Sequence, residues 1–474
     1  MCIRSRVGPL TSSTAIRFDL ELMARYGQSG PRYTSYPTAL QFKDEIRTED
    51  YVRAATDSKD ALLRGPLSLY LHIPFCFSPC LYCGCNKIVT RSLARIERYV
   101  GYLAQEIAWR GQYFDRARVV EQLHFGGGTP TYLPASDLIK LWGSLTRHFQ
   151  LTDAAERDYS IEIDPRSIAP GTLPLLKELG FNRVSVGVQD FDSDVQSAIN
   201  RAQPVEMVQA VYQEARDLRF QSINFDLIYG LPLQTIETFE RTLDRVIAMR
   251  PDRLAVYGYA HMPQLFKAQR RFSAAQLPDA STRMALLQLA IKKLCAAGYL
   301  YIGLDHFALP SDSLAQAKQQ MTLHRSFQGY TTHANRDLVS FGVSAIGRVG
   351  NLYVQNLKLL PDYEAAVERG TMPSERGVSV DQDDRIRAAV IQQIMCHGLI
   401  EIKAMEGRHN IVFDEYFAPE LKRMQSLQAE GLVDVTTEKI RLTPPGQLLM
   451  RVVAMVFDAY LTSAAEPPAM SRVV

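Results

Sequence analysis

From residue 67 to residue 260 the chain alternates a short β-rich run with a helical one, and this rhythm restricts its fold more than any other feature. The β-rich runs are LSLYLHI (67–73), VVEQLHF (119–125), YSIEID (159–164), FNRVSVGV (181–188), INFDLIYG (223–230) and DRLAVYGYA (252–260). Between them lie RSLARIERYVGYLAQEIAWRG (91–111), ASDLIKLWGSLTRHF (135–149), TLPLLKELG (172–180), a helix around 205–218 and TIETFERTLDRVIAM (235–249). Strand and helix in turn predict parallel βα units. Right-handed crossovers curl six such units into a barrel or part of one. The expected fold class is therefore α/β, a partial (β/α)6 barrel of the TIM type. A further strand, YLYIGLDHFAL (299–309), is expected antiparallel at the edge.

Around this core the chain divides into an extension (1–16), an N-terminal arm (17–66), the barrel with its edge strands (67–370) and a C-terminal unit (371–474). The arm ends in SGPRYTSYPTALQF, whose Gly, Pro and Ser residues forbid a long helix. Beyond residue 370, RIRAAVIQQIMCHGLI, APELKRMQSLQAEGLVDV and KIRLTPPGQLLMRVVAMVFDAYL alternate helix and short strand. That pattern resembles a small, mostly helical winged-helix domain. No conspicuous basic recognition helix accompanies it, which favours a lid over a DNA-binding role. The 474 residues are 46% hydrophobic, enough for a large core, and the formal net charge is only +2. Such a balance makes no global case for nucleic acid or membrane. The first residues, MCIRSRVGPLTSSTAIRF, lack the apolar h-region of an export signal. Reduced thiols without a leader point to the cytoplasm.

Barrel enzymes gather their active residues at the C-terminal ends of the strands. Here the first strand ends at His72-Ile73-Pro74 and the second at Gly126-Gly127-Gly128-Thr129. Three glycines let backbone approach a ligand closely. The third ends Glu162-Ile163-Asp164-Pro165-Arg166, with both carboxylates on one face by strand alternation. Gln189 and Asp190 follow the fourth strand, Asp226 lies on the fifth, and Tyr259-Ala260-His261 close the sixth. One polar end would be ordinary capping. Polar or glycine-rich ends on all six predict a lined pocket. A second group, His324, Arg325, Gln328 and Tyr330 in HRSFQGYTT, suits carboxylate binding, because arginine matches a planar carboxylate bidentately.

The first strand runs directly into HIPFCFSPCLYCGCNK, which holds Cys76, Cys80, Cys83 and Cys85. Cys76, Cys80 and Cys83 have the spacing C-x3-C-x2-C. Three thiolates can hold three irons of a [4Fe–4S] cluster, leaving the fourth iron open to a small molecule. Four cysteines could instead close a tetrahedral zinc site. Disulfides are disfavoured, since Cys2, Cys295 and Cys396 are scattered and no secretory leader is evident.

Taken together, the cysteine segment, HFGGGTPTYL, IEIDPR, GVQDF, NFDLIYGLP and YAHMP resemble the porphyrin branch of the radical S-adenosylmethionine (SAM) enzymes. More narrowly, PRYTSYPTA, CGCNKIVT, FNRVSVGVQDF, HRSFQGYTT and GVSAIG resemble the oxygen-independent coproporphyrinogen III oxidases, or coproporphyrinogen dehydrogenases. The resemblance runs from about residue 17 to the C-terminus. It implies oxidative decarboxylation of two propionates of coproporphyrinogen III to vinyls, giving protoporphyrinogen IX for haem synthesis. A 5′-deoxyadenosyl radical would take hydrogen from the propionate β-carbon, with two SAM molecules consumed. It implies Cys76, Cys80 and Cys83 as cluster ligands. It implies SAM contacts from Tyr70, Tyr82, Gly84, Gly127, Gly128, Thr129, Glu162, Gln189, Arg201, Asp226, Ala260 and Ile346. A second SAM is expected nearby, with Ala260 and Ile346 serving either molecule. Tyr70, Glu162, Cys85 and Gln328 are the expected catalytic residues, Cys85 being the family's fourth cysteine and no required ligand. Arg32, His324 and Arg325 are expected to meet the substrate. The implied partner is a low-potential donor such as flavodoxin or ferredoxin, and the implied state is a monomer.

The chain departs from the family at Leu309, where an arginine is expected. Haem-binding chaperones and haem-modifying enzymes of the same branch are the alternative. Those relatives end the cluster motif in C-x2-C-x-F and lack the PRYTSYPT and QGYTT motifs, whereas this chain has Cys85 and both motifs.

Overall fold

A computed structural model describes residues 18–27, 29–43, 46–57, 65–334 and 336–462. The extension 1–16 lies outside the described residues. Two compact units divide the chain, Tyr33–Gln392 and a second formed by residues up to Arg32 together with those from Gln393 onward. The stretch 17–66, expected as one arm, is thus shared between the two units.

In the larger unit six parallel strands lie side by side in chain order: β1 (Leu67–Ile73), β2 (Val119–Gly127), β3 (Asp158–Ile163), β4 (Arg183–Gln189), β5 (Ser222–Tyr229) and β6 (Arg253–Gly258). Helices α1 (Leu93–Gly111), α2 (Ala135–His148), α3 (Thr172–Glu178), α4 (Val205–Asp217) and α5 (Ile236–Met249) make the crossovers. Side-chain caps start two of them. Ser92 accepts the Arg95 amide at α1, and Thr235 accepts the Thr238 amide at α5. Strand alternation sorts the faces. One face is apolar and buried: Leu69, Leu71, Leu123, Phe125, Ile161, Val184, Val186, Phe225, Leu254 and Val256. The other face carries Ser68, Tyr70, His72, Gln122, His124, Ser160, Glu162, Ser185, Asn224 and Asp226. The inside of the barrel is therefore polar and hydrogen-bonded rather than filled with branched aliphatics. Ser68 donates to Gln122 (2.9 Å), which donates to Thr331 (3.0 Å).

The sheet does not close. Asp337–Phe341 adds in parallel to β1, and Ile346–Val349, Leu352–Asn356 and Ser374–Ser379 extend it antiparallel. At the other edge the expected single strand 299–309 is two strands, Leu300–Gly303 and His306–Ala308, the latter antiparallel to β6. The break falls where Gly303 (φ +152°) and Leu304 (φ +47°) leave the extended region. The Tyr330 hydroxyl occupies the place a side chain on Gly303 would need, so only glycine fits this turn.

One buried charge pair ties the sheet to α1. Glu106 accepts from Arg110 Nε (2.8 Å), Tyr363 Oη (2.7 Å), Asn356 Nδ2 (2.8 Å) and the Gly342 amide (2.7 Å).

The second unit is built on a three-stranded antiparallel sheet in the order Leu399–Glu401, Lys439–Leu442, Val433–Val435. Helices Ile402–His409 and Ala418–Ala429 belong to it, and its core includes Phe413, Phe417 and Phe457. Among the described residues no helix is long and apolar enough to cross a membrane.

Candidate active site

The cysteine loop leaves the end of β1 and is folded back by a short parallel pairing of Phe75–Cys76 with Ile88–Val89. Several hydrogen bonds fix it to the barrel. The Leu81 amide donates to Ile199 O (3.0 Å), Asn200 Nδ2 to Pro79 O (2.7 Å) and Gln269 Nε2 to Tyr82 O (2.9 Å). Cys76 and Cys80 are buried, Cys83 is half-buried and Cys85 exposed, and all four thiols are free.

Each of the three motif thiols has its own surroundings. Thr129 Oγ1 donates to Cys76 Sγ (3.5 Å). Arg166 Nη2 and Arg201 Nη1 donate to Cys80 Sγ at 3.2 and 3.4 Å. The Cys85 amide donates to Cys83 Sγ (3.4 Å), and Lys87 caps the Cys83 carbonyl (3.0 Å). Hydrogen bonding from Cys85, with Lys87 behind it, lowers the Cys83 thiol, whereas burial pushes the Cys76 thiol up to about 11. Among the described residues no three His, Cys, Asp or Glu side chains converge on one point. Separate corners suit a cluster in which each thiolate takes its own iron. They suit a single zinc ion less, because zinc–sulfur bonds of about 2.3 Å draw their ligands together.

Behind the loop stands a polar wall. Tyr70 donates to or accepts from His72 Nδ1 (3.0 Å), and His72 Nε2 meets the Asn86 carbonyl (2.9 Å). His124 stacks on Tyr70 with ring centroids 5.9 Å apart, and contacts Ser160 Oγ (2.8 Å) and Glu162 Oε1 (3.4 Å). Glu162 also accepts the Gly127 amide (3.0 Å). Burial raises the Glu162 carboxyl, but the His124 and Gly127 interactions outweigh it and leave the group below its ordinary range. Its side chain stays 40% exposed, so an ionised carboxylate is presented rather than sealed. The glycines are needed here. A Cβ on Gly128 would meet the Pro74 carbonyl at 2.6 Å, and one on Gly127 (φ +117°) would meet the His72 ring at 2.6 Å.

Asp164 takes a different part. It pairs with Arg166 (2.6 Å) and Arg201 (3.2 Å), so it holds both guanidiniums against Cys80 rather than facing a ligand. Asp226 accepts from Ser185 (2.8 Å) and Asn224 (2.9 Å). Burial pushes its carboxyl up to about 6, the Glu162 charge adding to it and the Ser185 and Asn224 bonds opposing it.

The native pKa of Asp226 lies above the ordinary aspartate value of about 3.9. The folded chain therefore binds the proton more tightly than the unfolded one. Stability from this group is complete below about pH 4 and is lost as the pH rises through the folded value. Asp226→Asn is expected to stabilise the chain by about 1–2 kcal/mol near pH 8, after allowing for solvent screening, and to change little near pH 4. Thermal melts at both pH values check this. A wild type more stable than the variant at the higher pH would refute it.

The other expected residues fall as follows. Gln189 ends β4 in a left-handed conformation (φ +68°) and is buried. Ala260 offers its carbonyl to Gln269 (3.2 Å), and Phe266 covers Gly84. Gln328 sits in the hairpin His324–Ser326/Gly329–Thr331 and reaches Leu69 O (3.5 Å), next to Tyr70. Arg325 is 2% exposed, with its guanidinium 4.8 Å from the Tyr330 ring centroid. Ile346 packs with Phe327 on the Phe42–Tyr353–Val380 cluster. Arg32 is half-buried in the second unit. Sequence reasoning gave no role to Arg166, His124, Ser185, Asn224 or Gln269. Arg166 and His124 lie inside quoted motifs, and strand parity alone would have turned His124 toward Tyr70.

This geometry agrees with the likeness to known proteins. The Radical SAM superfamily model matches residues 70–246, and the HemN C-terminal domain model matches residues 380–449. The oxygen-independent coproporphyrinogen III oxidase of Pseudomonas aeruginosa is 49% identical over 94% of this chain and 97% of its own length. The Escherichia coli protein of the same name is 44% identical over 97% and 99%. The solved structure of coproporphyrinogen III oxidase from Escherichia coli, described as a radical SAM enzyme, superposes with a TM-score of 0.89 at 43% identity, covering 94% of this chain and 99% of that one. Related in sequence and fold over nearly its whole length, the chain belongs to the oxygen-independent coproporphyrinogen III oxidases of the radical SAM superfamily, whose cofactors are a [4Fe–4S] cluster and SAM.

Proposed function

We propose that this chain converts coproporphyrinogen III to protoporphyrinogen IX by oxidative decarboxylation of two propionates. The observation that carries the reading is the juxtaposition, at one end of a polar barrel, of a three-thiol loop with the carboxylates Glu162 and Asp226. Relatives of matching length bear that activity in their names. Cys76, Cys80 and Cys83 would hold the cluster. When bound, cluster and SAM supply the radical that takes hydrogen from the substrate.

The chain's own residues do the rest. Glu162, ionised and half-open, accepts hydrogen bonds from ammonium or hydroxyl groups of SAM. Asp226 does the same from β5, on the far side of β4. Its raised pKa marks a carboxylate that gains most when a cationic or donor group arrives. Gly127 and Gly128 bring backbone within reach of the ligand. Arg166 and Arg201 offset negative charge at Cys80, and Asp164 positions both. Gln328, beside Leu69 and Tyr70, faces the substrate side of the same wall, with His324 and Arg325 on its hairpin. A cluster held by thiolates calls for a reducing compartment, so the reading places the chain in the cytoplasm, as a monomer served by a low-potential electron donor.

Anaerobic turnover of the reconstituted protein with coproporphyrinogen III, SAM and dithionite tests this. Protoporphyrin formed in step with 5′-deoxyadenosine is expected. SAM cleavage without vinyl product would overturn the decarboxylase reading and move the function to a haem-modifying or haem-binding relative.

A further inference from the structure

After β6 the chain lays a strap, residues 262–276, against the cysteine loop. Two 3-10 turns shape it, Lys267–Arg271 and Ala274–Gln276. Its own bonds keep it compact: the Phe266 amide donates to Met262 O (2.9 Å) and Arg270 Nε to Pro263 O (2.9 Å). The Leu233 amide ties its far end to the barrel through Gln276 O (2.8 Å). The Phe266 ring lies 3.0 Å from where a Cβ on Gly84 would stand. Phe272 is buried in a cluster with Ile199 and Tyr259, and Leu81 and Tyr82 of the loop pack on the same cluster. Strap and loop thus share an apolar contact.

Within that contact one polar side chain is sealed. Gln269 is 1% exposed. Its Oε1 accepts the Met262 amide (2.6 Å), and its Nε2 donates to Tyr82 O (2.9 Å) and to Ala260 O (3.2 Å). Both amide hydrogens are therefore used. Turning the amide over would set its oxygen against two carbonyls and its nitrogen against an N–H, so the backbone selects one orientation. The two carbonyls belong to different parts of the site. A peptide unit is planar, so holding Tyr82 O also holds the nitrogen of Cys83. Ala260 stands two residues beyond Gly258, the last residue of β6. A single planar nitrogen thus sets the spacing between the cysteine loop and the barrel rim.

We propose that Gln269 is a positioning residue: it fixes the Cys83 corner of the loop against the end of β6, and so sets where a cluster on Cys76, Cys80 and Cys83 stands relative to SAM at the strand ends. The inference rests on the radical SAM reading of the loop. Gln269 acts through the backbone it holds and not through the reacting atoms. A hydrophobic side chain of the same length fills its space but withdraws the partner of two carbonyls and one amide. The loop can then shift against β6 while its three thiols stay free to take iron.

The test is Gln269→Met, read in two ways. In the iron-free protein, amide hydrogen exchange of the loop from Tyr82 to Lys87 is expected to quicken about tenfold. In the reconstituted protein, the Kd for SAM, measured per cluster bound, is expected to rise about tenfold, and the electron paramagnetic resonance spectrum of the reduced cluster with SAM should differ from that of the wild type. Val246→Ala, a cavity in the buried face of α5, controls for lost stability and should leave the Kd and the spectrum unchanged. Gln269→Asn, whose amide is one methylene too short to reach both carbonyls, gives the same comparison if the Met variant fails to fold. Wild-type exchange in the loop, or a wild-type Kd and spectrum per cluster, would overturn the proposal, as would an equal change in Val246→Ala. A wild type that binds no SAM would count instead against the proposed function, and exchange in the loop would still decide whether Gln269 holds it.

Discussion

Cys80→Ser is expected to strip the chain of its iron while leaving the fold standing. The loop around Cys80 is held by backbone and amide contacts that do not involve the thiol: the Leu81 amide on Ile199 O, Asn200 on Pro79 O, and Gln269 on Tyr82 O. Arg166 and Arg201 keep Asp164 as a partner when the sulfur is gone, so no buried charge is stranded. A hydroxyl is a poor substitute for thiolate toward iron. Reconstitution should then fall from about four irons per chain to less than one, with loss of the visible cluster absorbance. Stability of the iron-free protein should change by no more than about 1–2 kcal/mol. Cys85→Ser, at an exposed position beyond the three-thiol spacing, should retain its iron. Full iron in the Cys80 variant would refute the ligand assignment.

Arg110→Met should carry the largest stability cost of any single change in the barrel, about 3–5 kcal/mol. Arg110 is completely buried, and Glu106 is 2% exposed. Besides Glu106, the guanidinium donates to Asn356 Oδ1 (2.8 Å) and lies 4.6 Å from the Tyr51 ring centroid. Removing it leaves a carboxylate with three neutral donors and no cation in a dry interior. The loss reaches the active site through the Gly342 amide that Glu106 holds, beside Tyr99, whose hydroxyl donates to the His72 carbonyl (2.7 Å). Glu106→Gln/Arg110→Met removes both charges and should recover much of the loss, since a buried pair replaced by neutral groups is often tolerated. Denaturant midpoints of the two variants decide the matter. A cost below about 1 kcal/mol for the single change would sink the claim.

The six barrel strands could be read from the sequence because each combines a run of β-formers with glycine, proline or polar residues at its end. Their bounds differ from those expected by only a residue or two, as in Val119–Gly127 for 119–125. The hairpin Leu300–Gly303/His306–Ala308 could not, because its turn depends on the Tyr330 hydroxyl filling the space beside Gly303. The helix Ala280–Ala296 and the strands from Asp337 to Ser379 went unread as well. The strands are short, and they are held by pairing to β1 and to one another rather than by local pattern. The glycines at 127 and 128 and the spacing of the cysteines declared a ligand site. Asp164 was read as a pocket carboxylate beside Glu162, but it turned out to serve two arginines.

By itself the sequence determined what is local: the βα alternation, the side of each strand on which a residue stands, and the spacing of Cys76, Cys80 and Cys83. These follow from covalent geometry and the period of a strand. Tertiary structure alone decided which charges meet. Arg201 reaches Cys80 across 121 residues of chain, and Arg110 reaches Asn356 across 246. Such pairings depend on the stagger between strands and on where each crossover lands. A local pattern fixes neither, since both are set by the packing of the whole barrel.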